Sequence, residues 1–256
     1  MLPQVLEQAG YENVSLVPDQ IQPDGDFPTV VSPNPEEKEA LKMAVALATE
    51  KEADIVIGTD PDADRFGLVV KDLNSDWYYL NGNQIMAVLT ESLLQKKAAQ
   101  NKLNSNCFIA STVVSTPLLE KMASHYGVQY KNTLTGFKWI AKLIEDFSEL
   151  EFIGGGEESF GYLIGDSVRD KDAISASLLA CEIANEAVNS GSSFFELLMD
   201  CYKKYGTYKE HLVSVTKKGK AGVDYIAKQM QNFRENPPKS IGGSPVVVLE
   251  DYLKLK

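Results

Sequence analysis

The chain has 256 residues, a net charge of −11 and 44% hydrophobic residues, which suits one or two globular domains able to bury a core. This acidic balance argues against nucleic acid or an anionic membrane as the main partner. We find no recognisable signal peptide and no apolar run long enough to span a bilayer. Cys107, Cys181 and Cys201 lack CxxC spacing, so we expect reduced thiols in a cytoplasmic protein.

In the first part of the chain, short apolar runs alternate with one amphipathic segment, and residues 1–75 are expected to form an incomplete α/β unit. The pattern predicts strands at 13–17, 53–57 and 68–70, and a helix from residue 36 to about 51. The helix start is expected to use Asn34 as N-cap, Pro35 at the first position and Glu37 as the capping-box acid.

A second unit is expected over residues 76–205, where strands and helices alternate. The pattern predicts helices at 82–97, 116–126, 136–146, 172–189 and 194–205, and strands at 107–110, 128–130 and 151–153. Strand–helix–strand alternation predicts a mostly parallel sheet with helices on both faces. The tail, 206–256, is expected to hold strands at 212–215 and 246–249 around a helix that contains Val223 and Phe233.

The sequence GTDPDADRFG, residues 58–67, places three carboxylates at alternate positions between two predicted strands. Alternate residues of an extended segment point the same way, so Asp60, Asp62 and Asp64 are expected to converge on a hard cation such as Mg²⁺. The spacing does not suit an EF-hand, because Arg65 and Lys71 stand where that loop needs glycine and glutamate. A solvated acidic turn is the alternative interpretation.

Four segments, taken in order along the chain, resemble the α-D-phosphohexomutases, the family of phosphoglucomutase and phosphomannomutase. GTDPDADRFG resembles the metal-binding loop of that family, and GGEESFG, residues 155–161, resembles its sugar-recognition loop. TGFK, residues 135–138, resembles a helix-opening segment, and VRDKD, residues 168–172, a substrate-side segment. The resemblance implies three-layer α/β/α domains: the second mutase domain at 1–75, the third at 76–205 and the start of the fourth at 206–256.

Two parts of the family pattern have no counterpart in these residues, namely the phosphoserine loop and the terminal phosphate-binding loop. Two segments superficially resemble the serine loop. Residues 32–35, SPNP, are better interpreted as a helix start, and residues 123–125, ASH, lie inside a predicted helix that ends at Gly127. We therefore expect the chain to be a central piece of a larger mutase, without turnover by itself.

The resemblance also implies roles for individual residues. Asp60, Asp62 and Asp64 would hold Mg²⁺ and Arg65 would lie beside the phosphate. Glu157 and Ser159 would hold two vicinal sugar hydroxyls, while Glu158 would face away. Further substrate contacts or proton transfer are implied for Thr135, Gly136, Lys138, Arg169 and Lys171, with Lys171 favoured over Lys138 for acid–base work. Without the resemblance, the glutamate loop would be interpreted as a polar turn and the cations as surface ion pairs.

The implied activity is the interconversion of hexose 1-phosphate and hexose 6-phosphate, with glucose favoured over mannose. The implied partners are hexose phosphates and a hexose bisphosphate intermediate, with phosphoryl transfer dependent on Mg²⁺ and an enzyme phosphoserine. The alternative is a non-catalytic module that binds a metal ion and a sugar phosphate.

Overall fold

A computed structural model describes residues 1–210 and 215–253 and divides the chain into two units, Met1–Lys209 and Glu210–Lys256. The fold class is α/β with mixed, mostly parallel organisation in the larger sheet, as predicted. Within the described ranges, none of the helices combines the length and the apolar character needed to cross a bilayer. Two thiols are buried and the third is half-buried, and all three are unpaired.

The first part of unit Met1–Lys209 builds a small antiparallel sheet. Its helices are α1 (Leu2–Gln8), α2 (Pro18–Ile21), a 3₁₀ turn (Lys38–Leu41) and α3 (Lys42–Glu50), and its strands are β1 (Ile55–Thr59), β2 (Phe66–Lys71) and β3 (Trp77–Tyr79). β2 lies in the centre and pairs antiparallel with both neighbours. The acidic loop is therefore the connection of a β1–β2 hairpin.

Two predictions for this part are wrong. Residues 13–17 form no strand, and Val14 and Leu16 are exposed, so the apolar run has no sheet to join in the part of the chain that is described. The helix predicted from residue 36 begins later, at Lys38. Asn34 Oδ1 accepts a hydrogen bond from the Glu36 amide at 3.0 Å, which closes a local turn before the helix, and Glu37 makes no side-chain cap.

The second part of the same unit alternates helices and strands, as predicted. The helices are α4 (Gly82–Ala99), α5 (Leu118–Tyr126), α6 (Phe137–Asp146), α7 (Ala173–Asn189) and α8 (Phe194–Tyr205), and the strands are β4 (Cys107–Thr112), β5 (Gln129–Thr133), β6 (Glu151–Gly156) and β7 (Tyr162–Ile164). Side-chain caps by Asn81, Asp172 and Ser193 start α4, α7 and α8. Gly127, with φ of 68°, ends α5 as expected.

The larger sheet has the order β5-β4-β6-β7, with parallel pairing except for antiparallel β7. Helices cover both of its faces, so alternate residues of β4 are buried in two different hydrophobic clusters. Phe108 and Ala110 pack with α6, whereas Cys107 and Ile109 belong to the main core with α4 and α5. The main core also receives Phe66 of β2, so the small hairpin sheet packs against the same helices as the large sheet.

The unit Glu210–Lys256 contains α9 (Gly219–Glu235) and a minimal hairpin of β8 (Ser240–Ile241) and β9 (Ser244–Pro245). Gly242 and Gly243 both have positive φ, which the hairpin turn requires. The helix was predicted, but the strand predicted at 246–249 is wrong: the hairpin pairing ends with the hydrogen bond from the Val246 amide to the Lys239 carbonyl, and Val247, Val248 and Leu249 are exposed. Of the other predicted strand, residues 212–214 lie outside the described residues, and Val215 is not in a strand.

Candidate functional site

The three aspartates of the acidic loop converge, but through a tight turn and not through an extended segment. Asp60, Asp62 and Asp64 each offer a carboxylate oxygen, and these oxygens lie within 4.8 Å of one another. Asp60 Oδ1 accepts hydrogen bonds from the amides of Asp64 at 3.1 Å and Arg65 at 3.0 Å. Ala63 holds the left-handed φ of 55° that folds the loop back. The convergence was predicted, whereas its geometric cause was not.

This cluster fits a hard divalent cation. All donors are carboxylate oxygens, which Mg²⁺ prefers, and a small side-chain rotation would bring oxygens within 4.8 Å of each other onto one ion. Burial and the neighbouring charges of Asp64 and Asp62 raise the pKa of Asp60, although the Arg65 amide opposes the shift. The carboxylates therefore crowd one another, and a bound cation would relieve their repulsion.

Arg65 is held by acids on two sides. Its Nε lies 3.7 Å from Asp64 Oδ1 and 4.0 Å from Asp60 Oδ2, and its Nη1 lies 3.3 Å from Glu36 Oε1. Sequence analysis missed Glu36, because the segment around it was interpreted only as a helix start. Burial raises the pKa of this carboxyl and Arg65 opposes the shift. The guanidinium is thus fixed at the edge of the acidic loop and stays partly exposed.

The segment 157–161, here called the sugar loop, joins β6 to β7 and turns its two glutamates in different directions. Glu157 is only 7% exposed, and its Oε1 accepts a hydrogen bond from the Gly136 amide at 2.8 Å. Glu158 reaches instead to Thr112 and Ser115 at the end of β4. Phe160 adopts a left-handed φ of 67°. The two glutamates thus have different partners, and the expectation that Glu158 faces away from a bound sugar stays a prediction.

Backbone contacts join the acidic loop to the sugar loop. Arg65 and Gly161 form an antiparallel bridge, and the Phe66 amide donates to the Phe160 carbonyl at 3.1 Å. The Ala173 amide at the start of α7 donates to the Ala63 carbonyl at 3.0 Å. Two motifs that lie far apart in the sequence are therefore adjacent in the structure, and we call the surface formed by residues 60–66 and 157–161 the shared wall. Their relative position is set by main-chain hydrogen bonds, which do not depend on side-chain identity.

Lys171 lies at the centre of this wall. Its Nζ forms an ion pair with Asp64 Oδ2 and lies 3.6 Å from Asp170 Oδ1. Burial lowers the pKa of Lys171, but the hydrogen bond and charge of Asp64, with smaller effects of Asp170 and Glu157, outweigh it, so the net shift is upward. In this arrangement Lys171 is a protonated cation and not a base. Arg169, two residues earlier, is exposed.

The segment that opens α6 divides into residues near the sugar loop and residues away from it. Gly136, the N-cap with φ of 109°, is bonded to Glu157. Thr135 next to it is exposed. Lys138 points into solvent, and its Nζ lies 5.3 Å above the Trp139 ring. The structure therefore brings together Asp60, Asp62, Asp64, Arg65, Lys171, Glu157 and Gly136, and it leaves Lys138 and Arg169 exposed.

Comparison with known proteins identifies the family of this chain. The sequence model of Phosphoglucomutase/phosphomannomutase, alpha/beta/alpha domain II matches residues 1–74, and that of alpha/beta/alpha domain III matches residues 81–205. The site thus lies in a protein of the mutase class, and the chain belongs to the phosphoglucomutase/phosphomannomutase family, the α-D-phosphohexomutases.

Relatives of this chain carry the name phosphoglucomutase. That of Staphylococcus haemolyticus (strain JCSC1435) is 37% identical over 257 residues, covering 100% of this chain and 46% of the relative. One from Staphylococcus epidermidis (strain RP62A) is 38% identical over 253 residues, covering 98% of this chain and 46% of the relative. The chain therefore spans about half the length of the curated relatives it matches.

Two solved structures share the fold. A Thermus thermophilus protein, provisionally named a phosphomannomutase, matches with a TM-score of 0.65 at 24% identity over 80% of this chain and 43% of that one. A phosphoglucomutase/phosphomannomutase family protein from Burkholderia thailandensis matches with a TM-score of 0.51 at 20% identity, over 66% of this chain and 33% of that one. At these identities the likeness concerns the fold alone.

Proposed function

We propose that this chain supplies the metal-binding and sugar-recognition parts of a phosphohexomutase that interconverts hexose 1-phosphate and hexose 6-phosphate, with glucose preferred. The observation that carries the proposal is the shared wall, in which the Arg65–Gly161 bridge and the Phe66–Phe160 hydrogen bond hold an aspartate cluster against the sugar loop. The names of the Staphylococcus relatives support the choice of glucose. The phosphoserine that carries the phosphoryl group is proposed to lie outside these residues.

On the metal side, Asp60, Asp62 and Asp64 would hold Mg²⁺. When bound, Mg²⁺ would neutralise charge on the oxygens of the phosphoryl group being transferred. Arg65, fixed by Glu36 at the rim of the loop, would add a positive charge next to that phosphoryl group. This is a proposed role, for which the support is the position of the guanidinium beside Asp60 and Asp64.

On the sugar side, Glu157 and Ser159 would bind two neighbouring hydroxyls of the hexose. One Glu157 oxygen is engaged by the Gly136 amide, so the other would accept the hydroxyl hydrogen bond. A pair of vicinal hydroxyls suits a mutase, because the sugar must bind in two orientations. Thr135, Arg169 and Lys138 are proposed to contribute at the exposed rim, and Lys171 to contact phosphate or transfer a proton once a cation has replaced it at Asp64.

The test is a coupled assay of the full-length protein with glucose 1-phosphate, Mg²⁺ and a trace of glucose 1,6-bisphosphate, reading glucose 6-phosphate formation. Mannose 1-phosphate in a parallel assay tests the preference. We expect turnover with glucose, and loss of turnover in Asp62→Asn and after chelation. Tight sugar-phosphate binding without turnover would favour the non-catalytic module instead. The cytoplasmic location expected from the cysteines stays a prediction.

A further inference from the structure

Glu158 has a set of contacts that substrate binding does not require. Its Oε2 accepts hydrogen bonds from Thr112 Oγ1 at 2.9 Å and from Ser115 Oγ at 3.0 Å, at the carboxyl end of the central strand β4. The two hydroxyl oxygens lie 2.8 Å apart. Because each hydroxyl has one hydrogen, two of these three contacts can be hydrogen bonds at a time, so at least one hydroxyl donates to the Glu158 carboxylate and joins the sugar loop to β4 by a charged hydrogen bond.

The main chain at this point is packed closely against α4. A Cβ added at Gly82, the first residue of α4, would lie 2.1 Å from the Glu158 carbonyl oxygen. The turn that carries Ser115 is also fixed to α4, since the Thr116 amide donates to Asn83 Oδ1 at 2.8 Å. The partners of Glu158 therefore belong to the rigid core, and the sugar loop is the element that they hold.

The sugar loop needs such support because its conformation is strained. Phe160 holds a left-handed φ of 67°, which a bulky residue keeps only when its surroundings enforce it. After Phe160, the loop is held by the Glu157–Gly161 and Phe66–Phe160 main-chain hydrogen bonds. Before Phe160, side-chain support comes from Glu158 and from Glu157, whose Oε1 accepts from the Gly136 amide. Removal of the Glu158 carboxylate would leave the first half of the loop with one of these two supports.

We propose that Glu158 is a positioning residue, which anchors the sugar loop to Thr112 and Ser115 so that Glu157 and Ser159 are presented to the hexose. The binding of a hexose by Glu157 and Ser159 rests on the proposed function, whereas the anchoring of the sugar loop by Glu158 does not. Glu158 does not touch the sugar in this proposal. Its carboxylate contacts Thr112 and Ser115, whereas Glu157 contacts the Gly136 amide.

Native-state amide hydrogen exchange on the chain tests the anchor without any assay of activity. In Glu158→Ala, we expect exchange at the Glu157 and Phe66 amides, both bonded to loop carbonyls, to accelerate about tenfold, the factor that corresponds to one hydrogen bond. The Thr112→Val/Ser115→Ala double variant should accelerate the same amides. Combining it with Glu158→Ala should add nothing further, because both changes remove one contact.

Two controls complete the design. Glu158→Gln keeps an acceptor oxygen and should preserve most of the protection, and Glu149→Ala removes an exposed glutamate of the same unit and should change nothing. Unchanged exchange in Glu158→Ala, or effects that add in the combined variant, would overturn the proposal. If Glu158→Ala does not fold, hydrogen exchange at the same two amides is measured in the Thr112→Val/Ser115→Ala variant. Unchanged exchange in that variant would refute the anchor.

Kinetic assays of the full-length protein then test whether anchoring of the sugar loop affects the use of substrate. If Glu158 anchors the sugar loop, Glu158→Ala should lower kcat/KM for glucose 1-phosphate about tenfold, mainly by raising KM, and should leave the pH profile unaltered. Absence of turnover in the wild type would refute the proposed mutase, while the exchange data would still decide the role of Glu158. Full activity in a Glu158→Ala variant with fast-exchanging loop amides would refute the presentation of Glu157 and Ser159.

Discussion

Replacing Lys171 should tighten cation binding, because its ammonium group occupies one ligand of the proposed metal site. Lys171 Nζ is paired with Asp64 Oδ2, and the two side chains are only 16% and 26% exposed. A cation that binds all three aspartates must displace this ammonium from Asp64. Exposed ion pairs contribute about 0.2–1 kcal/mol and charged hydrogen bonds about 1.5–3 kcal/mol, so we assign about 1–2 kcal/mol to this partly buried pair. Lys171→Met should therefore tighten binding by about 5- to 30-fold.

The assay is Mn²⁺ titration of the chain followed by electron paramagnetic resonance, with Mg²⁺ competition, since both ions favour carboxylate oxygen. The matched control is Lys138→Met, which removes an exposed lysine over Trp139 and should leave affinity unchanged. The metal-free Lys171→Met variant should also melt at a lower temperature than the wild type, because Asp64 loses its partner. Equal or weaker Mn²⁺ binding in Lys171→Met would refute the reasoning that the ammonium and the cation share Asp64.

Four further outcomes are expected. Asp62→Asn should abolish calorimetric Mg²⁺ binding to the chain, which is weak in the wild type because substrate oxygens usually complete the shell. Glu157→Ala in the full-length protein should cost about 1.5–3 kcal/mol in kcat/KM, whereas Glu157→Gln should keep the melting temperature because its amide oxygen still accepts from Gly136. The chain by itself should convert no glucose 1-phosphate above an empty-vector control, since one reacting group is missing. Lys204→Met should lower stability by about 1–3 kcal/mol in urea titrations, because nearly buried Glu91 loses its ammonium partner at 2.9 Å.

The loss of stability in Lys204→Met is also expected to depend on pH. Burial lowers the pKa of Lys204, but Glu91 and Tyr126 outweigh it, and the net pKa lies above the ordinary value of 10.5. A raised pKa means that the contribution of Lys204 is fully present below pH 10.5 and is lost as the pH rises through the folded value. The stability difference between wild type and Lys204→Met should therefore be constant near neutrality and shrink in alkaline solution.

Local signals in the sequence were sufficient for most helices. α8 was predicted over residues 194–205, and the structure shows local effects at both of its ends, because Ser193 caps the first turn and Gly206 follows the last residue. The same kind of local signal was misleading around Asn34, where the side chain closes a turn on the Glu36 amide in place of a helix cap. The apolar run at 13–17 had the composition of a strand, but a strand also needs a partner, which periodicity does not reveal.

The sequence predicted the motifs that form the candidate site, but it did not predict the side-chain contacts between them. The acidic spacing indicated the convergence of Asp60, Asp62 and Asp64, since these residues are neighbours in one loop. The pairs that fix the site join distant segments: Glu36 with Arg65, and Asp64 with Lys171. The Asp64–Lys171 pair depends on packing of the hairpin sheet against the helices of the larger sheet, and Glu36 is separated from Arg65 by α3 and β1, so no local pattern predicts either pair.

The shared wall has a consequence for how a mutase of this design would work. The acidic loop and the sugar loop are joined by main-chain hydrogen bonds, and the acidic loop is also bonded to the start of α7 through the Ala173 amide and the Ala63 carbonyl, so the distance between the two loops is fixed by the fold. A protein that must phosphorylate either end of a hexose then has two routes, to move the loops or to turn the sugar. Fixed loops exclude the first route within this unit. Under the proposed function, the sugar must therefore turn, and Glu157 and Ser159 must accept it in both orientations.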